Sequence, residues 1–245
     1  MQGRLAVITV AGVVSFTLGL IAATFSGFSE FVPELLRGLA VTLKVTAGGA
    51  VVAVVAALVA ALGKMYGPRP VRWIAISYIE TFRGTSALVQ LFWLFYVLPH
   101  FGVTLDAITV GIVALGLNVG AYGAEVVRGA IGGVAKGQWE AALALNMSRW
   151  QMLRYVILPQ AFVAMIPPWG NLFIELLKAT ALVSLITLSD LAFKAQQLNQ
   201  NTLRTVEIFT LVLLVYLAIS LVITIGMRAL ERRAARGLRR GKVTG

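Results

Sequence analysis

Three pairs of oppositely charged residues stand inside apolar stretches, each with a spacing of three residues: Glu80 with Arg83, Glu125 with Arg128, and Glu175 with Lys178. On a helix this spacing places both charges on one face. A charged residue at the centre of a membrane helix costs roughly 2.5 to 3.5 kcal/mol on insertion scales, so it needs a partner or water. Each pair is therefore either a self-neutralised structural pair or part of a path for a solute that carries both signs.

The positions of the pairs favour different interpretations. Glu125 and Arg128 lie near the cytoplasmic end of a predicted span, which favours a structural pair. Glu175 and Lys178 lie toward the outer end of another predicted span, and both interpretations stay open for them.

Four uncharged polar residues extend the candidate solute path: Thr85, Gln90, Asn118 and Asn171. Together with Glu175 and Lys178 they offer both signs and neutral hydrogen-bonding groups, which can replace the hydration that a zwitterion loses. Pro167 and Pro168 precede these two charges, and we expect them to kink or unwind the helix. Ordinary packing is the alternative role for each polar residue, because polar side chains hydrogen-bond between membrane helices.

The composition excludes most catalytic chemistry. Among 245 residues there is no cysteine and a single histidine, so the chain has no thiolate nucleophile, disulfide, sulfur-ligated metal or histidine cluster. The sequence contains neither a G-x-x-x-x-G-K-[ST] phosphate loop nor a reactive constellation such as a Ser, His and Asp set. We expect no catalytic residue, no metal site and no cofactor in this chain.

The same composition predicts an integral membrane protein. Hydrophobic residues make up 59% of the chain and charged residues 13%, with a mean hydropathy of +0.87, whereas charged residues approach a quarter of an ordinary soluble domain. Apolar runs reach the roughly 20 residues that cross a bilayer and lack the alternation of a barrel strand. We predict an all-α polytopic bundle with an extra amino-terminal span and five core spans: residues 5–25, 39–62, 73–98, 107–124, 156–177 and 208–227.

The predicted organisation has three parts. Residues 1–35 hold the first apolar segment and an external linker, residues 36–230 form the transmembrane domain with a cytoplasmic loop at about 128–155, and residues 231–245 form a basic tail. An amino terminus in the cytoplasm places most of the 21 Lys and Arg residues in cytoplasmic loops and this tail, as the positive-inside rule requires. The first segment also resembles a signal peptide, but either interpretation leaves the other spans oriented alike. The basic charge flanks membrane spans, which indicates contact with anionic lipid rather than nucleic acid.

Residues 138–159 form the longest polar interruption of the apolar pattern. Good helix formers follow Gln138, and Asn146 then suits a left-handed bend. Ser148 and Gln151 have the S-x-x-Q spacing of a capping box that opens a second helix. The sequence therefore predicts a helix, a bend and a second helix.

This interruption carries a spaced set of residues: Glu140, Ala141, Ala142, Asn146, Val156, Leu158 and Pro159. The set resembles the EAA loop of bacterial ABC importer permeases, the cytoplasmic loop that docks on the ATPase subunit. Family members usually have Gly where Asn146 stands and Ile where Val156 stands. Both departures are mild, because Asn is the next best residue for a left-handed bend.

The resemblance extends over roughly residues 36–230. Stretches that begin at Tyr78, Gly116 and Pro167 are similar to the polar amino-acid uptake permeases. Within that family, RGTSALVQLFW and LLKATALVSLITL are most similar to permeases for ectoine and hydroxyectoine. Many family members have Pro where Ser86 stands, which leaves the solute open.

The resemblance implies the permease subunit of an ATP-driven importer in the bacterial inner membrane, for an amino acid or a compatible solute. It implies a separate ATPase dimer that uses ATP and Mg²⁺, a second permease subunit that is identical or related, and an external solute-binding protein. The alternative is a secondary transporter in which Glu80, Glu125 or Glu175 binds an ion or relays a proton. We find no inverted repeat of the kind that such transporters contain.

Overall fold

The computed structural model describes residues 28–239, with side chains from residue 30 to residue 236, and within these limits the chain is helical without β-strands. The regular α-helices are α1 (Phe28–Tyr66), α2 (Arg69–Gly84), α3 (Ala87–Phe92), α4 (Ala107–Gly132), α5 (Lys136–Ala144), α6 (Arg149–Met152), α7 (Leu158–Ala179), α8 (Leu191–Thr202) and α9 (Thr205–Arg239). Tighter and wider turns extend three of them: a π-helix at Trp93–Val97 followed by a 3₁₀-helix at Leu98–Phe101, a π-helix at Leu153–Ile157, and a 3₁₀-helix at Thr180–Ile186.

Within the described part of the chain, four helical segments are long and apolar enough to cross a membrane: Glu30–Tyr66, Ala107–Gly132, Arg149–Ile186 and Thr205–Arg236. The all-α membrane fold is therefore confirmed. The first predicted segment, residues 5–25, lies outside the described residues. α1 begins at Phe28, within the predicted external linker, and α9 continues to Arg239, within the predicted tail.

The prediction of one uninterrupted span at residues 73–98 is wrong. α2 ends at Gly84, and Thr85 and Ser86 have extended backbone dihedral angles before α3 begins. Hydropathy averaged over a window does not detect such an interruption, because the apolar residues continue on both sides of it.

α4 is the central helix, and small residues let its neighbours approach closely. A Cβ atom on Gly116 would lie 2.9 Å from the Gly49 carbonyl oxygen of α1. One on Gly123 would lie 2.6 Å from the ring of Trp169 on α7. Close contact through small residues is the usual way in which helices pack in a membrane, where lipid is as apolar as leucine.

Of the two effects predicted for Pro167 and Pro168, a kink or unwinding, the structure excludes unwinding, because α7 continues through both residues. Proline removes a backbone donor but has a dihedral angle that a helix accepts. Met165, Ile166 and Trp169 are buried and hold the helix in place, while the two prolines are exposed on the other side.

The charged side chains separate to opposite ends of α1. At one end, the Lys194 Nζ lies 3.2 Å from Glu34 Oε2, and the Arg204 guanidinium lies 5.0 Å from the ring centre of Phe31. At the other end, Lys64 pairs with Glu125 of α4. Which of the two ends faces the cytoplasm stays a prediction from charge, and the end that holds Lys64 is the one predicted to do so.

Candidate functional site

The predicted helix, bend and helix are present between α4 and α7. α5 ends at Ala144, and Asn146 has a left-handed φ of 55°. The Ser148 Oγ accepts from the Gln151 N–H at 3.3 Å, and the Gln151 Oε1 accepts from the Ser148 N–H at 2.9 Å. This reciprocal capping box starts α6, so the bend is specified by residues within the loop itself.

We call residues 136–155 the coupling loop. Ala142 and Met152 are buried against the bundle, while Glu140 is exposed on the opposite side. Four large apolar side chains are exposed with it: Leu143, Leu145, Trp150 and Tyr155. Leu145 is 76% exposed, which is unfavourable for a loop that faces water. The loop thus presents a mixed apolar and charged surface that suits a protein partner.

Leu143, Leu145 and Tyr155 were missed by the sequence reasoning. Helical spacing gives little signal for them, because α5 is barely amphipathic and only the folded bundle shows that Ala142 and Met152 point inward. Ala141 and Ser148 are exposed on the coupling loop, beside the apolar residues.

The end of the motif forms a joint between the coupling loop and the membrane. Val156, Leu158 and Pro159 are half-buried where the π-helix Leu153–Ile157 meets α7. Helical structure is continuous from Arg149 to Ile186. The second half of the coupling loop and α7 therefore belong to one helical segment.

Only one of the three predicted charge pairs forms an ion pair in the described structure. Glu125 and Arg128 form an ion pair with an Oε2–Nη2 distance of 2.7 Å, and Lys64, which the sequence analysis did not place there, lies 2.7 Å from the other carboxylate oxygen. Glu80 is exposed and makes no ion pair with Arg83 in the described structure. Arg83 instead lies over the ring of Tyr122 on α4, 5.4 Å from its centre, so its charge is directed across to another helix.

Glu175 and Lys178 also form no ion pair within the described residues. Both are exposed on α7, on the same face as Asn171, Pro167 and Pro168. This polar stripe runs along a membrane-crossing segment, where uncompensated charge is costly. Its surroundings in the membrane must therefore be water or another protein surface.

Three residues of the predicted path do meet, at the interruption between α2 and α3. The Gln90 Nε2 donates to Thr85 Oγ1 at 2.7 Å and to the Phe82 carbonyl at 2.9 Å. The Asn118 Nδ2 donates to the same carbonyl at 3.0 Å and to Gln90 Oε1 at 3.1 Å. Thr85 Oγ1 donates to the Thr81 carbonyl at 2.7 Å. These polar groups thus satisfy backbone carbonyl groups at the end of α2. Asn171 of α7 makes no hydrogen bond with them.

A buried carboxyl group lies at the end of the bundle that is predicted to be outside, and it was not singled out by sequence. Asp190 is fully buried and caps α8, with Oδ1 accepting from the Phe193 N–H at 2.9 Å. Its Oδ2 and the hydroxyl of Tyr216 are buried without a hydrogen-bond partner among the described residues. Burial raises the pKa of Asp190 to about 6. By contrast, hydrogen bonds from Thr109 lower the pKa of the exposed Asp106, which caps α4.

Comparisons with known proteins agree with this architecture. A probable amino-acid ABC transporter permease protein of Sinorhizobium fredii is 45% identical over 213 residues, which cover 84% of this chain and 90% of that protein. The L-cystine transport system permease protein TcyB of Bacillus subtilis is 40% identical over 208 residues, covering 84% of this chain and 89% of that protein. The crystal structure of an amino acid ABC transporter with histidines superposes with a TM-score of 0.79 at 38% identity, covering 85% of this chain and 98% of that chain.

A family model also matches residues 49–236, a region that includes the coupling loop, the interruption after α2 and the polar stripe of α7. The match covers most of the chain. The protein belongs to the family of binding-protein-dependent transport system inner membrane components.

Proposed function

We propose that this chain is the membrane-spanning subunit of an ATP-driven importer for a small zwitterionic solute. The observation that carries the proposal is the coupling loop, whose exposed apolar surface is joined to a membrane helix by continuous helical structure. The relatives named for amino acids and for L-cystine favour an amino acid as solute. Ectoine and hydroxyectoine belong to the same chemical class, because they too carry one positive and one negative group.

The coupling loop is proposed to dock on an ATPase subunit. Leu145 and Trp150 offer apolar contact area, and Glu140 offers a charge at the edge of that area. Exposed apolar residues surrounded by polar ones are typical of protein interfaces. The chain has no phosphate loop, so we assign ATP and Mg²⁺ to a dimer of this partner.

ATPase closure would then act on the solute path through α7. The helical segment Arg149–Ile186 begins in the coupling loop and carries the polar stripe with Asn171, Glu175 and Lys178. Rigid helices convert a displacement at one end into a displacement at the other. Movement of the coupling loop would thereby shift the stripe and alternate access between the two sides of the membrane.

The stripe is also the part of the chain best suited to a zwitterion. Glu175 and Lys178 are exposed and unpaired within the described residues, so one carboxylate and one ammonium group are available for a solute ammonium and a solute carboxylate. A second permease, identical or related, would supply the opposite wall. An external solute-binding protein would deliver the solute, and anionic lipid would surround the basic end of α9.

The proposed docking is tested by charge reversal in the coupling loop. We expect Glu140→Lys to insert and fold normally but to lose co-purification of the ATPase and solute uptake, because the edge of the interface becomes positive. Glu231→Lys, the same change on the basic extension of α9, is the matched control and should leave both intact. Association is measured by mass spectrometry after purification of the tagged chain in mild detergent.

Normal ATPase association and normal uptake with Glu140→Lys would contradict the docking assignment. Uptake that is driven by an ion or proton gradient without any ATPase would support a secondary transporter instead. In that case Glu80 and Glu175 are the carboxylates to change first, because Glu125 already pairs with Lys64 and Arg128.

A further inference from the structure

The interruption between α2 and α3, which we call the helix break, consists of Thr85 and Ser86. Thr85 has φ −120° and ψ 156°, and Ser86 has φ −70° and ψ 133°, so neither continues the helix. The break lies at membrane depth, because Phe82 and Gln90 on either side of it accept hydrogen bonds from Asn118, near the middle of the membrane-crossing helix α4. A membrane helix that stops leaves its last carbonyl groups without their usual N–H donors, and each one requires another partner.

Side chains from two other helices provide these partners. Gln90 of α3 and Asn118 of α4 both donate to the Phe82 carbonyl, at 2.9 and 3.0 Å. The hydroxyl of Tyr122, one turn after Asn118 on α4, donates to the Arg83 carbonyl at 3.4 Å. We call Gln90, Asn118 and Tyr122 the break clasp.

The break clasp takes the place of helical hydrogen bonds. In an uninterrupted helix the Phe82 carbonyl would accept from the N–H of Ser86, four residues later. Here two side-chain amides occupy that carbonyl, so the Ser86 N–H is kept out of the helical pattern. The amide group of Gln90 donates to backbone carbonyls and to the Thr85 hydroxyl, and that of Asn118 donates to the Phe82 carbonyl and to Gln90 Oε1. Their amide hydrogens are therefore unavailable for a solute.

The side of the helix break that faces away from the bundle is open. Gly84, Thr85 and Ser86 are exposed, and a Cβ atom added to Gly84 would meet no atom within 4 Å. The break borders a groove of about 310 Å³, whose walls include Phe82 and Trp93. Irregular backbone at membrane depth is tolerated only where protein covers it or where it lines a water-filled cavity, and hydrocarbon cannot satisfy its polar groups.

We propose that the helix break lines the water-filled path of the solute and that the break clasp positions it there. The inference rests on the proposed permease function and deepens it. The exposed backbone and the Ser86 hydroxyl offer hydrogen bonds to the polar ends of a small zwitterion, and the apolar groove accommodates its hydrocarbon part. Gln90, Asn118 and Tyr122 are positioning residues, which revises the direct solute contact predicted for Gln90 and Asn118.

The absence of cysteine from the chain makes the helix break accessible to a direct test. Ser86→Cys introduces a single thiol, and its rate of reaction with a charged, water-soluble methanethiosulfonate reagent is measured in the full complex in native membranes. Val222→Cys on α9, where the native side chain is 70% exposed on an apolar helix, is the matched control. We expect Ser86→Cys to react at least tenfold faster than Val222→Cys.

A rate at Ser86→Cys no higher than at Val222→Cys would overturn the proposal. If Ser86→Cys does not insert, Gly84→Cys provides the same measurement in open space. ATPase co-purification is determined on the same preparations. A reactive break without ATPase association would contradict the permease function, whereas ATPase association with an unreactive break would contradict only the present inference.

The positioning role of Gln90 and Asn118 is tested by a second labelling experiment. The double substitution Gln90→Ala with Asn118→Ala, made in the Ser86→Cys background, frees the Phe82 carbonyl for the Ser86 N–H. The helix can then close across the break, and we expect the labelling rate at position 86 to fall at least fivefold while the complex remains assembled. An unchanged labelling rate would show that the clasp does not hold the break open.

Discussion

The chain interrupts its helices in two different ways, and the coupling loop and the helix break represent the two. At the coupling loop, the bend at Asn146 is completed by its own neighbours, through the capping box of Ser148 and Gln151. At the helix break, the freed carbonyl of Phe82 is completed partly by Asn118, which lies 36 positions later in the sequence. The first interruption is stabilised by local contacts, and the second is stabilised by tertiary contacts.

The two interruptions also differ in what they leave unsatisfied. The bend of the coupling loop is capped within the loop, but its surface exposes Leu145 and Trp150, for which we propose a protein partner. The helix break has its α2 carbonyls capped from inside the chain and presents open space on its outer side. We therefore propose a protein partner for the first interruption, and water and a small solute for the second.

The largest expected effect concerns the surface of the coupling loop. Leu145→Asp places a charge in the centre of the proposed interface, where an unpaired charge is strongly unfavourable, and should abolish ATPase association and uptake. Leu203→Asp is the matched control, because Leu203 is at least as exposed, at 83% against 76%, but lies at the opposite end of the bundle. Co-purification of the ATPase is the readout, and its retention in Leu145→Asp would remove the distinction between the two interruptions.

The second largest effect is expected on α7, the helix that follows the coupling loop and carries the polar stripe. Glu175→Gln keeps the shape of the side chain but removes its charge, and should lower uptake about tenfold while the complex still assembles. Glu207→Gln, which breaks a pair with Arg204 at the outer end, should change uptake less than twofold. If lost assembly accounts for the whole effect of Glu175→Gln, Glu175 has a structural role and not a role in the path.

A smaller effect tests whether the bend is local. Asn146→Val puts a β-branched residue at φ 55° and should destabilise the coupling loop by about 1 to 2 kcal/mol. Asn146→Gly should be neutral or slightly stabilising, because glycine adopts this conformation without strain. Proteolysis of the loop under native conditions measures the difference. Equal cleavage of the two variants would mean that tertiary contacts, not Asn146, impose the bend.

The smallest effect is pH-dependent and concerns Asp190, at the end of the bundle that is predicted to be outside. The pKa of Asp190 is raised to about 6 from its ordinary value of 3.8, so its contribution to stability is full below pH 3.8 and is lost as the pH rises through 6. Asp190→Asn retains a capping side chain and cannot ionise. Its stability advantage over the unsubstituted protein should therefore be larger at pH 7.5 than at pH 5, by about 1 kcal/mol.

Thermal unfolding in detergent at the two pH values measures this advantage. Asp106→Asn is the control, because Asp106 caps α4 from an exposed position and has a lowered pKa. Its substitution should not become more favourable as the pH rises. An advantage of Asp190→Asn that is the same at both pH values would mean that Asp190 does not ionise between them.

The difference between local and tertiary stabilisation decides how much of the molecule is predictable from sequence. The membrane class, the helix, bend and helix of the coupling loop, and the pairing of Glu125 with Arg128 depend on composition or on residues within a few positions of each other. The bend in particular follows from one residue type and one capping spacing. Short-range physics is sufficient for such features.

The features that sequence reasoning missed depend on distant residues. The end of α2 at Gly84 is stabilised by Asn118 and Tyr122 of α4, so nothing in the local apolar pattern marks it. The continuity of α7 through Pro167 and Pro168 likewise depends on the packing of that helix rather than on the prolines alone. Lys64 joins Glu125 only because α1 and α4 pack side by side.

The most direct test of the central claim is the energy source of transport. The tagged chain is purified with its associated subunits, reconstituted in liposomes with the external solute-binding protein, and assayed for uptake of radiolabelled amino acids and of ectoine. We predict uptake that requires ATP and Mg²⁺ on the side of the coupling loop and that is absent from the Leu145→Asp complex. Uptake that proceeds without ATP under an imposed proton or sodium gradient would contradict the account.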